Sequence, residues 1–208
     1  MIKIGNTPLL GLLVLAIALQ TGCASSGQSR LKRRIDHYSG LPGLEFQFLC
    51  GEIEVPCGFQ HRANESLSKD PLVLNGKTGE EILAQILHRF GDGYSFAFDR
   101  GVLNVVPVTE SPSILDSRLS SFDMDHEPMD VAVDKLNIRL TGASPGKDAM
   151  EGTRHMRAGT IHLRNISARE GLNSIVRADG AAVWQFFPAT PKFQPLPAIS
   201  IQEYDRGH

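Results

Sequence analysis

A pattern of strand, capped helix and strand occurs twice in this chain, and the second copy follows the first without a gap at an offset of 89 residues, from position 74 to position 163. Strand end, helix cap, apolar stripe and terminal glycine all coincide at this offset. The matching pairs are Leu74 and Leu163, Thr78 and Ser167, Glu81 and Glu170, Leu83 and Leu172, Ile86 and Ile175, Leu87 and Val176, Gly91 and Gly180, and Tyr94 and Val183. Short segments of this kind share such features because they need them to fold, but agreement at every landmark favours two modules of one type.

The first copy covers residues 71–107, and the residue pattern specifies each of its elements. A short apolar strand is expected to end in a turn at Asn75-Gly76. Thr78 and Glu81 form a capping box, in which each side chain accepts a hydrogen bond from the backbone amide of the other residue. Apolar residues then recur at helical spacing, glycines end the helix, and alternating aromatic and small residues predict a strand of a hairpin. These residues are Ile82, Leu83, Ile86, Leu87, Phe90, Gly91, Gly93, Tyr94, Phe96 and Phe98.

Elsewhere in the chain, apolar spacing predicts a helix over Leu44–Ile53, a strand over Leu119–Met124 and a short helix opened by Pro128. Ile138 and Leu140 are expected to form an extended piece before a long insertion loop. Together these elements predict an α+β fold of two small βα-type modules, each with two helices and small sheets. The predicted bounds are residues 41–108 for the first module, 114–190 for the second with its loop at 141–158, and 191–208 for a proline-rich extended tail.

The composition of the N-terminal segment sets it apart from the fold. Lys3 precedes an apolar run of 11 residues, positions 9–19, which is shorter than the ~20 residues of a membrane-spanning helix. The stretch around Cys23 resembles the processing site of a bacterial lipoprotein signal, with Gln20 where leucine is usual. The resemblance implies a signal peptide over residues 1–22, lipid attachment at Cys23, a flexible tether over residues 23–40, and an outer-membrane anchor with the body in the periplasm. A simple signal or an uncleaved anchor is the alternative.

Two cysteines remain once Cys23 is assigned to the lipid. We expect Cys50 in a helix and Cys57 at the start of a strand. An even pair fits a compartment that permits disulfides. A disulfide between these residues and two buried free thiols are both compatible with their spacing.

Composition and charge narrow the classes of function. The chain has 208 residues, of which 41% are hydrophobic, so its body can bury a core. The formal net charge is −2, and there is a single tryptophan. A nucleic-acid partner normally requires a clearly basic face, so the sequence gives no argument for one.

Three motifs resemble catalytic or ligand-binding patterns but lack the required chemistry. Residues 142–146 match a hydrolase nucleophile elbow, yet Pro145 has no amide N–H for an oxyanion hole. Gly76-Lys77-Thr78 resembles the end of a phosphate-binding loop, yet a strand precedes it in place of a glycine-rich cradle. A group of mainly acidic residues is expected to form a solvated face, so no metal or cofactor is expected. These residues are Asp116, Asp123, Asp125, His126, Glu127, Asp130 and Asp134.

Two segments, Leu72–Val106 and Thr160–Phe187, carry a resemblance to a known family. With weaker support at Phe48–Phe59 and Phe122–Leu136, they resemble the short N-terminal domain shared by secretins and TonB-dependent receptors. The resemblance covers most of the mature chain and implies a small βα-type interaction domain. Its motif consists of structural residues, so it specifies the fold more than any activity.

These features favour a non-catalytic cell-envelope lipoprotein that acts as a protein-binding or assembly module in the periplasm. Small sheets with open edge strands recruit partner strands by backbone pairing. The expected partners are envelope proteins, with a secretin or a TonB-system component as candidates, and no nucleic acid. The alternatives are a structural or envelope-maintenance protein with no dedicated partner and, least favoured, an enzyme with an unrecognised site.

Overall fold

Helices and strands from both halves of the chain are arranged around one central sheet. The computed structural model describes residues 26–63, 65, 68–91, 93–109, 113–142, 159–190 and 196–204. Its helices are α1 (residues 26–31), α2 (Glu45–Ile53), α3 (Gly79–Arg89), α4 (Met129–Thr141) and α5 (Ala168–Asp179). Its strands are β1 (Arg34–Gly40), β2 (Cys57–Gln60), β3 (Leu72–Thr78), β4 (Tyr94–Asp99), β5 (Val102–Pro107), β6 (Arg118–Glu127), β7 (Gly159–Ser167), β8 (Ala182–Phe187) and β9 (Ala198–Glu203). A 3-10 turn covers Ile114–Asp116.

The central sheet has five strands in the order β4-β5-β2-β8-β9. Strand β2 lies parallel to both of its neighbours, with Cys57 opposite Leu103 of β5 and opposite Val183 of β8. Strands β4 and β9 form the two edges and run antiparallel to β5 and β8. Two antiparallel ribbons, β1 with β3 and β6 with β7, lie outside this sheet. The two halves of the chain are therefore joined in one sheet, because β2 of the first half pairs with β8 of the second half.

A separate hydrophobic core covers each face of the central sheet. Helices α2 and α3 and the β1–β3 ribbon enclose one core, and helices α4 and α5 and the β6–β7 ribbon enclose the other. Successive side chains of a strand point to opposite faces, so β8 places Val183 in the first core and Trp184 in the second. The indole of Trp184 covers Gly58, where a Cβ atom would lie only 2.0 Å from the ring. This contact requires glycine at position 58.

The structure is α+β, and both capping boxes are confirmed. The amide of Glu81 donates to the Thr78 hydroxyl at 3.2 Å, and the amide of Thr78 donates to the Glu81 carboxylate at 2.9 Å. Ser167 and Glu170 form the same reciprocal pair at the start of α5. The pKa of Glu170 lies below its ordinary value, mainly because its carboxylate accepts a hydrogen bond from the Ser167 amide. The duplicated pattern thus corresponds to β3, α3 and β4 in the first half and to β7, α5 and β8 in the second.

Three local predictions differ from the structure. Residues 34–40, assigned to the tether, form β1, which pairs with β3. The turn expected at Asn75-Gly76 lies inside β3, where the positive φ of Gly76 (60°) allows an irregular strand. Ile138 and Leu140, expected in an extended piece, belong to α4, which continues to Gly142 as a left-handed C-cap. The first two differences share one cause, because β1 supplies the partner that keeps residues 75–78 extended.

Candidate functional site

Strand β4 presents one side of its backbone to the outside of the sheet. The Val108 amide donates to the Gly93 carbonyl at 2.7 Å, and the register of the hairpin places these two residues opposite each other. Hydrogen-bonded pairs alternate with non-bonded pairs along an antiparallel ladder. Every second residue from Gly93 therefore bonds to β5, while the backbone groups of the others face outward. The outward-facing residues are Tyr94, Phe96 and Phe98.

The opposite edge of the sheet, β9, is closed by side chains. The side chain of Asn137 on α4 accepts from the Ile199 amide at 2.9 Å and donates to the Ile199 carbonyl at 3.0 Å. Asn137 is 1% exposed, so its carboxamide takes the place of a neighbouring strand at this position. The Gln47 side chain of α2 donates to the Glu203 carbonyl at 3.0 Å. These contacts occupy three of the outward backbone groups that a further strand would need, namely the amide and the carbonyl of Ile199 and the carbonyl of Glu203.

On the β6–β7 ribbon, charged side chains and an irregular register disfavour pairing with a further strand. On the β6–β7 ribbon, the Arg164 guanidinium donates to Asp123 at 2.7 and 2.8 Å and holds the pKa of that carboxyl below its ordinary value. The register of this ribbon shifts between Asp125 and Glu127. Charged side chains and bulges are the usual means by which proteins block edge pairing. Strand β4, in contrast, carries one carboxylate, Asp99, at its far end.

The start of β4 is held by a buried polar network. The Tyr94 hydroxyl donates to Glu65 at 2.6 Å, and burial raises the pKa of that hydroxyl. Glu65 also contacts Nδ1 of His61, whose Nε2 lies 2.9 Å from Oε1 of Gln185 on β8. Arg62 lies over the Tyr94 ring at 4.7 Å. This network ties β4 to β2 and β8, and therefore holds in place the edge that β4 presents within the described part of the chain.

A cleft of about 440 Å³ lies beside β4, between the sheet and helix α5. Strands β4 and β5 form its floor, and α5 and the 3-10 turn form its wall. Its lining includes Ser95, Ala97, Asp99, Asn104, Asp116, Arg169 and Asn173. The cleft therefore opens onto the face of β4 that an added strand would extend.

Hydrogen bonds within the cleft fix most of its polar groups. Nη2 of Arg169 donates to Gln60 at 2.7 Å and to Asp116 at 3.2 Å. Asn173 donates to Asp99 at 3.0 Å and accepts from the Trp184 indole at 2.8 Å. Two buried atoms of the cleft lining have no hydrogen-bond partner among the described residues. They are the Asn104 Oδ1 acceptor and the Arg169 Nη1 donor.

Apart from Asp116, which lines the cleft, the candidate residues singled out from the sequence lie elsewhere. Cys50 and Cys57 form a disulfide that joins the end of α2 to the start of β2. Both are fully buried in the core that α2 and α3 cover, on the other face of the sheet from the cleft. Cys23, and residues 143–146 of the elbow-like motif, are outside the described residues. No helix in the described part of the chain is long and apolar enough to cross a membrane.

The other two lookalike motifs have structural positions. Gly76-Lys77-Thr78 forms the end of β3, where Thr78 caps α3. Asp123 and Asp125 both face solvent, as the alternation of β6 predicts. Across the described ranges, no three histidine, cysteine, aspartate or glutamate residues are grouped so that they would hold a metal ion.

Sequence analysis named Asp116 only as part of the acidic group and missed Asn104, Arg169 and Asn173 of the cleft lining. One signal was present, since Asn104 interrupts the apolar run of β5, VLNVVP, and a buried asparagine in such a run needs an explanation. The positions of Arg169 and Asn173 on α5 gave no comparable signal, because they become neighbours of β5 only through the shared sheet. Comparisons with models of protein families, with curated proteins and with solved structures find no match.

Proposed function

We propose that this protein is a non-catalytic cell-envelope lipoprotein that binds an extended segment of a partner protein by strand addition to β4. The observation that carries the proposal is the contrast between the two edges of the central sheet. Asn137 and Gln47 hydrogen-bond to the outward groups of Ile199 and Glu203 on β9. Among the described residues no such contact covers the outward backbone groups of Tyr94, Phe96 and Phe98, which lie on a nearly uncharged strand. Partner strands bind to such edges mainly through main-chain hydrogen bonds.

The cellular setting of this proposal comes from the N-terminal resemblance. Lipid on Cys23 would anchor the body to the outer membrane and keep β4 in the periplasm. The partner would then be another envelope protein, and the family resemblance favours a secretin or a TonB-system component. A structural or maintenance role with no dedicated partner is the alternative.

Substitution of Phe96 by proline tests strand addition directly. The Phe96 amide faces away from β5, so proline at this position removes an outward donor without breaking the hairpin ladder. Phe96→Thr is the matched control, because it removes the 40% exposed ring but keeps the amide. A photo-crosslinking amino acid at Ser95, on the exposed part of β4, would report contact with the partner in cells.

We expect the Ser95 probe to crosslink to one extended segment of an envelope protein in the wild type and in Phe96→Thr, and to lose this product in Phe96→Pro. A probe at Val131, exposed on α4, controls for non-specific contact. If the product is unchanged in Phe96→Pro, or if no envelope protein is crosslinked, strand addition at β4 is wrong and the structural role is favoured.

The anchor is tested separately by Cys23→Ala. We expect this variant to leave the membrane fraction, because the remaining apolar segment is too short to span a bilayer as a helix. Continued membrane association of Cys23→Ala would contradict lipid anchoring, whatever the outcome at β4.

A further inference from the structure

The cleft beside β4 lies where side chains of an added strand would project. Alternate residues of a strand point to the same face of a sheet, and the β4 residues that face the cleft are Ser95, Ala97 and Asp99. Ala97 is opposite Asn104 on β5 and is small and exposed. A side chain on the added strand beside Ala97 therefore lies on the same face as Asn104 and can extend across Ala97 toward it.

Asn104 and Arg169 provide one acceptor and one donor that are not used. Asn104 is 6% exposed, and its Nδ2 donates to the Val102 carbonyl at 3.1 Å, which leaves Oδ1 without a partner among the described residues. The Arg169 side chain is 19% exposed, and Nη1 is likewise unpaired within the described part of the chain. Buried polar atoms without partners cost free energy, so a ligand that satisfies both atoms recovers it.

The charges around the cleft restrict that ligand to a neutral group. Asp99 and Asp116 would repel a carboxylate, and the Arg169 guanidinium would repel an ammonium group at the same depth. Both carboxylates already accept hydrogen bonds, Asp99 from Asn173 and Asp116 from Arg169. A primary carboxamide is neutral and supplies one acceptor for Nη1 and one donor for Oδ1.

We propose that the cleft is a specificity pocket for a glutamine side chain on the strand that adds to β4, a proposal that rests on the function proposed above. Strands are ~4.8 Å apart, so the added strand lies ~10 Å from β5. Glutamine extends far enough across Ala97 to approach Asn104, and asparagine, one methylene shorter, does not. Both unpaired atoms are covered in the free protein, so the Arg169 side chain moves as the carboxamide enters.

The fluorescence of Trp184 should report this movement, because the Arg169 guanidinium lies 6.0 Å from the centroid of the Trp184 ring. Trp184 is also the one tryptophan in the chain. The probes are four peptides that differ at the central position, acetyl-Thr-Val-Thr-Xaa-Thr-Val-Thr-amide, with Xaa as glutamine, asparagine, glutamate or methionine. Titration of the full chain, followed by Trp184 fluorescence and by amide NMR shifts of β4, gives the four dissociation constants.

We expect the glutamine peptide to bind about tenfold more tightly than the other three, which corresponds to about two modest hydrogen bonds. The Asn104→Leu variant should bind all four peptides alike. Four equal affinities on the wild type, all lost in Phe96→Pro, would overturn the pocket but leave strand addition intact. Tighter binding of glutamate would overturn the choice of a carboxamide, and failure of every peptide to bind would overturn both proposals.

Discussion

Asn137 closes the β9 edge, and its replacement should both destabilise the protein and open that edge. In Asn137→Leu, the amide and the carbonyl of Ile199 lose partners at 2.9 and 3.0 Å. Ile199 is buried, so water does not readily replace them. An unsatisfied buried group costs about 1–3 kcal/mol, and apolar burial of the leucine offsets part of the total. We expect the free energy of unfolding to fall by about 2–4 kcal/mol.

Equilibrium unfolding in urea, followed by Trp184 fluorescence, measures this loss. The matched control is Ile138→Asn, the next residue of α4, whose exposed side chain should change the free energy of unfolding by about 0.5 kcal/mol or less. A second readout is size-exclusion chromatography, in which the leucine variant should associate through its newly open edge. If Asn137→Leu is as stable and as monodisperse as the control, the account of the two edges is incorrect.

Three further predictions concern the core, the disulfide and the second helix cap. Gly58→Ala should destabilise the protein by more than about 2 kcal/mol, because the added Cβ meets the buried Trp184 ring. The control Gly171→Ala, whose added Cβ has ordinary contacts in α5, should be neutral or stabilising by up to about 1 kcal/mol. Equal unfolding midpoints of the two variants in urea would contradict this prediction. Cys50→Ala with Cys57→Ala should lower stability by about 2.5 kcal/mol through loss of a short closed loop, and reduction of the wild type with dithiothreitol should give the same loss. Because the Ser167 amide lowers the pKa of folded Glu170, the charged carboxylate stabilises the fold above its unfolded pKa, and this contribution is lost as pH falls through the folded pKa. Glu170→Gln should therefore be less stable than wild type at pH 7, and the difference should shrink below about pH 4; a constant difference would show that the charge is not the cause.

Sequence reasoning located the elements whose signals are local. Capping boxes, helical apolar stripes and the alternation of β4 act within about ten residues, and the structure confirms these features. Strand β1 was not predicted because its two buried side chains, Ile35 and Tyr38, are three positions apart, so no strand period is visible. A strand of this type forms because it pairs with β3, and neither segment by itself contains a pattern that predicts this pairing.

The open edge and the cleft depend on contacts that no local pattern contains. The edge position of β4 follows from the order of five strands, which pairs β2 with β8 across 126 residues from Cys57 to Val183. The closure of β9 depends on Asn137 of α4, and nothing in the sequence around this asparagine distinguishes it from other polar residues of a helix. Sequence reasoning therefore predicted a protein-binding module, which stays a prediction, and it did not identify β4 as the candidate edge.

The position of β2 also has a consequence for how the chain is made. During synthesis β2 leaves the ribosome long before β8 exists, so in the first half β2 is a temporary second edge of the sheet until β8 pairs with it. Pairing across so long a separation is entropically slow, and the waiting edge is a place where chaperones or other nascent chains would bind. A chain cut in the connection between β5 and β6 should consequently yield two pieces that are each incomplete and that recover one another's structure when mixed. The two occurrences of the pattern contribute strands to one sheet, so we expect each half to depend on the other to fold.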